Sequence, residues 1–242
     1  MSKTRILIIG GSSAIGCEII RQIDAENTII LAQYNSNRKG LDLLLSETKA
    51  QVIPFQADLS IETGAKSVIE AAISLYDYPD KIIFIAAPSL TLARFKDLTW
   101  QDFEKQIDLQ LNTAYLILHR FLPKMSSARY GRVVFTLSSS TLGIPPSNMA
   151  HYVTGKYAML GLMKSLSAEF ASKQICINAV SPSMIETGFL AHIPEKLIEF
   201  TAQQHPMKRN GTPVEVASVV RFLLSDESAY ITGVNIPITG GA

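Results

Sequence analysis

Two cysteines and one tryptophan are all that the 242 residues hold of either type. Cys17 and Cys176 fall in stretches patterned as a helix and a strand, and neither sits at a metal-ligand spacing. Buried free thiols are expected, and no metal site. Charge is scarce too. Only 18% of residues are charged and the net charge is +1, so no basic run marks a footprint for nucleic acid. No apolar run approaches the ~20 residues of a membrane span. Met1 to Gly10 lacks the longer apolar core and small-residue cleavage site of a secretory leader. A cytoplasmic protein with no membrane partner is expected. What the chain has in quantity is apolar residues, 47% of the total. That supplies a substantial core for one large α/β domain spanning 1–242, whereas two ordinary domains would be crowded.

Short β-branched runs alternate with longer amphipathic segments. Arg5–Ile9 is a strand, followed by a helical pattern from Ala14 to Ile23. Thr28–Ala32 is the next strand, then a helix around Gly40–Lys49. Gln51–Phe55 repeats the strand signal, and Ser60 is placed to cap the helix that runs to about Leu75. Lys81–Ala86, Gly131–Leu137, Ile175–Val180 and Val234–Ile238 complete the strands. Strands apolar on both faces and separated by helices describe a parallel sheet covered on both sides. The crossover rule then predicts a doubly wound, Rossmann-like fold with its ligand crevice at the carboxyl ends of the strands.

The first turn, Gly10-Gly11-Ser12-Ser13-Ala14-Ile15-Gly16, suits a diphosphate. It must leave a strand sharply, expose helix N–H groups and let an anion approach the backbone. Gly10 makes the turn, Ser12 and Ser13 offer hydroxyls, and Gly16 lets the helix pack on the sheet. An ordinary strand–turn–helix connection is the plainer alternative. The second strand ends at Ala32-Gln33-Tyr34-Asn35, without the carboxylate that an NAD site places near the ribose hydroxyls. Asn35, Ser36 and Arg38 are positioned instead to meet a 2′-phosphate. NADP is therefore favoured over NAD, with a solvated Arg38 as the alternative.

Tyr152 and Lys156 stand four residues apart, which on a helix stacks them on one face. A free phenol near pKa ~10 is almost never ionised at neutral pH. An adjacent lysine cation stabilises the phenolate and draws the pKa toward the working range, giving a group that donates or accepts a proton. Upstream, where the fifth strand meets the crevice, Ser138-Ser139-Ser140 offers hydroxyls to orient a substrate oxygen.

These features together resemble the short-chain dehydrogenase/reductase family. The glycine turn carries the family's Gly-x-x-x-Gly-x-Gly spacing, with Ile15 before the last glycine; Ile9 stands for its usual threonine and Ala14 for its middle glycine. The family's catalytic serine lies thirteen residues before its tyrosine, which selects Ser139. The resemblance implies that Asp58-Leu59 contacts the adenine ring, a plain loop aspartate being the alternative. It implies too that the Ile185 backbone and the Thr187 hydroxyl bind the nicotinamide carboxamide. It extends through Arg209–Ala217 to Gly240-Gly241, and among relatives the pattern is most similar to the 3-oxoacyl-[acyl-carrier-protein] reductases. The pattern breaks twice. Ile85-Ala86-Ala87-Pro88 replaces Asn-Asn-Ala-Gly, leaving only backbone contacts near Ala86. Gln110 replaces the catalytic asparagine, and is expected to kink its helix and leave a carbonyl free for the proton relay.

The resemblance implies an oxidoreductase that moves a hydride between a nicotinamide and the carbonyl or alcohol carbon of a small molecule. A nucleotide-binding or regulatory member without turnover is the alternative; a nucleotide-sugar epimerase would need a longer chain. Substrate choice is assigned to a lid segment, Gly188–Met207, amphipathic through Phe189, Leu190, Ile193, Leu197, Ile198 and Phe200. His192 and His205 within it are read as structural. The resemblance also implies a homotetramer or homodimer built on helices around Asp102–Lys124 and His151–Ser172.

Overall fold

Seven strands lie parallel in the order β3-β2-β1-β4-β5-β6-β7. A computed structural model describes residues 3–188 and 195–242. In chain order the elements are β1 (Thr4–Ile9), α1 (Ala14–Gln22), β2 (Thr28–Tyr34), α2 (Lys39–Leu45), β3 (Gln51–Gln56), α3 (Glu62–Tyr76) and β4 (Lys81–Phe84). Then follow α4 (Trp100–Gln106), α5 (Thr113–Ala128), β5 (Gly131–Thr136), α6 (Ala150–Phe170) and β6 (Ile175–Pro182). The chain closes with α7 (Glu195–Gln204), α8 (Pro213–Leu224) and β7 (Asn235–Ile238). The doubly wound fold expected from the alternating pattern is present.

Strand side chains alternate between two apolar layers, as the pleat requires. Leu7, Ile9, Ile82, Phe84, Val133 and Phe135 pack with Val68, Ile117, Phe121 and Met163 from α3, α5 and α6. Ile6, Ile8, Ile30, Ile83 and Val134 pack with Ile19, Leu41 and Val220 from α1, α2 and α8 on the other face. Both thiols are buried and free. The strand order reverses between β1 and β4, and the carboxyl ends of those two strands open the crevice that a doubly wound sheet forms at its switch point.

Several boundaries differ from the expected ones. β4 stops at Phe84 rather than Ala86, because the Ile85 and Ala86 N–H groups both donate to the Ile9 carbonyl, at 2.9 and 3.0 Å, and the ladder cannot continue. α2 ends at Leu45, short of Lys49; the Ser46 and Thr48 hydroxyls donate to the Leu43 and Leu44 carbonyls there, and such local bonds compete with helix continuation. Ser60 does not cap α3. Its N–H and hydroxyl both donate to the Asp58 carboxylate, and the cap position falls on Ile61.

The helix that carries Gln110 widens into a π turn over Ile107–Asn112, between α4 and α5. The expected distortion is present. The Thr113 N–H donates to the carbonyls of both Asp108 and Gln110. No helix among the described residues is long and apolar enough to cross a membrane.

Candidate active site

A cavity of about 1130 Å³ runs from the start of α1 to the start of α7. At one end β1 delivers the chain into Gly10, whose φ of +88° suits glycine. A Cβ there would stand 2.7 Å from the Ala86 nitrogen, and one on Gly16 would stand 2.6 Å from the Gly11 carbonyl. Both glycines are therefore required by close backbone approach. The Ser13 hydroxyl caps α1 by accepting from the Gly16 N–H at 3.0 Å, and donates its own proton to the Gly10 carbonyl at 2.8 Å. Its hydroxyl is thus engaged within the loop, and both Ser12 and Ser13 line the cavity. The arrangement is a helix N-terminus with bare backbone around it, which fits a diphosphate.

Gln33 holds this end together, and the sequence pattern alone did not single it out. Its amide accepts from the Gly10 N–H at 2.9 Å and donates to the Ala57 carbonyl at 2.8 Å. A glutamine buried in a strand otherwise apolar was the available signal. Asn35, Ser36 and Asn37 line the cavity beyond it. Arg38 does not; exposed, it pairs with Asp42 at 2.7 Å, one helical turn on. Asp58 is likewise outside the cavity, its carboxylate occupied by Ser60, while Leu59 lines the wall as expected.

Ala86, Ile15, Ile185 and Thr187 all line the cavity. Ile185 is fixed by a parallel bridge to Gly211, with the Gly211 N–H donating to the Met184 carbonyl at 3.0 Å. Across from these, α6 buries Tyr152 and Lys156 on one face. The Lys156 ammonium donates to the Thr136 carbonyl at 2.9 Å and lies 5.7 Å from the centre of the Tyr152 ring. Burial lowers the Lys156 pKa to about 7. Burial also raises that of Tyr152, with a hydrogen bond to Ser138 pulling the other way. Desolvation thus penalises the ammonium and the phenolate alike.

The spacing selected Ser139, and its neighbour Ser138 hydrogen-bonds Tyr152. Ser139 lines the same cavity and starts a 3₁₀ turn in which the Ser138 hydroxyl also accepts from the Ser140 N–H at 3.2 Å. The loop between the 3₁₀ turn and α6 sets the separation of both serines from Tyr152, and Ser138 follows β5 by two residues.

Gln110 stays out of the cavity, which takes Leu109 instead. Its amide nitrogen donates to the Gln106 side chain at 2.8 Å. Both glutamines press on α6 where Gly155 makes room: a Cβ there would stand 3.0 Å from Gln106 Cβ and 3.3 Å from Gln110 Nε2. Gln110 thus packs beneath the residue before Lys156. Asn112 faces a separate small hollow beside Asp108 and Leu59.

A family model described as enoyl-(acyl carrier protein) reductase matches residues 10–242. The chain belongs to the short-chain dehydrogenase/reductase family. It is 34% identical over 238 residues to the 3-oxoacyl-[acyl-carrier-protein] reductase FabG of Rickettsia typhi, covering 97% of this chain and 95% of that one. The FabG of Thermotoga maritima is 31% identical, with coverage of 97% and 96%. Among solved structures, levodione reductase superposes with a TM-score of 0.89 at 28% identity, covering 99% of this chain and 98% of the other. This short-chain dehydrogenase/reductase is accordingly an NAD(P)-dependent oxidoreductase.

Three buried cavity-lining residues, Thr136, Ser140 and His205, carry side-chain polar atoms without a hydrogen-bond partner among the described residues. With the glycine cradle at α1, these leave polar groups for a bound nicotinamide nucleotide and its substrate to satisfy. Of the expected lid, Gly188, Leu197, Thr201 and His205 line the cavity; Phe189, Leu190, His192 and Ile193 lie outside the described residues.

Proposed function

We propose that the chain reduces 3-oxoacyl thioesters at the expense of NADPH, with Tyr152 delivering the proton. The observation that carries this reading is the meeting of Tyr152, Lys156 and Ser138 in one cavity with the Gly10–Gly16 turn. The bound nicotinamide supplies the hydride to the carbonyl carbon. As that carbon is reduced, the Tyr152 hydroxyl gives its proton to the carbonyl oxygen and the alcohol forms. Ser138, already hydrogen-bonded to Tyr152, orients the oxygen toward the phenol. Lys156 is held by the Thr136 carbonyl, and its cationic form stabilises the phenolate left behind until solvent reprotonates it.

NADPH is supported by the end of β2, where the cavity-lining residues Gln33, Tyr34, Asn35, Ser36 and Asn37 include no carboxylate. The thioester is supported by the relatives named as 3-oxoacyl-[acyl-carrier-protein] reductases. Leu90, Met149, Met184 and Leu197 give the substrate end an apolar wall, and α7 serves as its cover. Assembly into a dimer or tetramer through α4, α5 and α6 belongs to the same proposal, and sedimentation tests it.

The test follows absorbance of the reduced nicotinamide with an acetoacetyl thioester. Tyr152→Phe is expected to lower kcat/KM by about a hundredfold to ten-thousandfold with nucleotide affinity little changed. Undiminished turnover in that variant would overturn the assignment. Nucleotide binding without any turnover would favour a regulatory role.

A further inference from the structure

His205 was read from the sequence as structural, and its surroundings argue otherwise. It follows α7 at the helical spacing of Leu197 and Thr201, and all three line the cavity. The side chain is 7% exposed, yet neither ring nitrogen has a hydrogen-bond partner among the described residues. A structural histidine so deeply buried would normally be satisfied, because leaving a polar group desolvated and unpaired is costly.

The opposite wall is shaped to admit the ring. Gly240 has φ +56°, and a Cβ on it would stand 2.9 Å from His205 Cε1 and 3.2 Å from Nδ1. Met207 Sδ is the next nearest atom, at 3.3 Å. The Nδ1–Cε1 edge thus lies against the Gly240 backbone without a hydrogen bond among the described residues. Nε2 is the nitrogen farther from that wall. Among the cavity-lining side chains around His205, Leu197 is apolar and Thr201 returns its hydroxyl proton to its own helix, at the Leu197 carbonyl, 2.8 Å away.

We infer that His205 recognises a second oxygen on the substrate, at a distance from the carbonyl that is reduced. The preferred substrate class is then a compound with two oxygen functions, such as a 3-oxoacyl thioester, over a ketone with one. This deepens the proposed function and rests on it. The histidine contributes specificity by hydrogen bonding, and the proton transfer stays with Tyr152.

The experiment compares kcat/KM for an acetoacetyl thioester and for a monofunctional methyl ketone of equal chain length, in the wild type, His205→Leu and His205→Gln. The wild type should favour the thioester. His205→Leu should lower that preference by about ten- to a hundredfold, and His205→Gln, which keeps a donor and an acceptor, should restore part of it. Gly240→Ala asks the same question if the leucine variant does not fold, since its methyl displaces the ring while keeping the histidine. A wild type without preference, or a preference unmoved in the folded variants, overturns the inference and leaves the reductase reading intact. Turnover of neither compound by the wild type overturns both. Nucleotide affinity, measured alongside, should stay constant throughout.

Discussion

The Lys156 ammonium lies 5.7 Å from the centre of the Tyr152 ring, with both side chains buried on one face of α6. That proximity places a cation next to the phenol, while the same burial lowers the lysine pKa to about 7. The two effects oppose each other, and the pH at which Lys156 holds its proton becomes measurable.

Because the folded pKa of Lys156 lies below the unfolded one, the unfolded chain binds the extra proton between about pH 7 and pH 10. Stability contributed at this site is therefore complete above the unfolded value and falls away as pH drops toward 7. In nucleotide-free protein, the Tm of the wild type minus that of Lys156→Met should rise as pH goes from 7 to 10. A difference that stays flat or falls over this window would show that the lysine is not desolvated as described.

Ser138 and Ser139 are separable by experiment. With Ser138 on the Tyr152 phenol, Ser138→Ala should lower kcat by about ten- to a hundredfold. Ser139→Ala should stay within about twofold. The reverse order would restore the serine chosen by spacing.

Gly16 has backbone carbonyls where a Cβ would sit, Gly11 O at 2.6 Å and Gly10 O at 2.7 Å. Backbone cannot swing aside as a side chain does. Gly16→Ala should cost roughly 1–3 kcal/mol, lower the Tm by about 3–10 °C, and weaken nucleotide binding by distorting the turn. Calorimetry and a fluorescence titration of NADPH measure the two effects.

Asn35 lines the cavity just past β2. Asn35→Asp sets a carboxylate near the place proposed for the 2′-phosphate and should raise the KM for NADPH by about tenfold through like-charge repulsion. The KM for NADH should be unchanged or lower. Equal changes for both nucleotides would remove Asn35 from cofactor choice.

Much of this site was legible in one dimension because its parts are local. The glycine turn is read directly after a strand, and Tyr152 and Lys156 share a face because four residues make about one helical turn. Other parts were not legible. Arg38 was available to a phosphate on paper, yet the helix it begins brings Asp42 within 2.7 Å. Asp58 was likewise available, and a local turn with Ser60 used its carboxylate. In both cases the side chain has a short-range partner on its own segment, reached at little entropic cost, and lies outside the cavity.

The sequence by itself determined the alternation of strands and helices, the parallel sheet, the phosphate turn and the tyrosine–lysine pair. Hydrophobic periodicity and helical spacing are properties of neighbouring residues. Only the tertiary structure decided that Ser138 hydrogen-bonds Tyr152, that Gln33 braces Gly10, that Gln110 packs behind α6, and that cavity-lining His205 has neither ring nitrogen hydrogen-bonded among the described residues. Each of these depends on where separate elements come to rest against one another. Packing sets those distances, and no spacing along the chain encodes them.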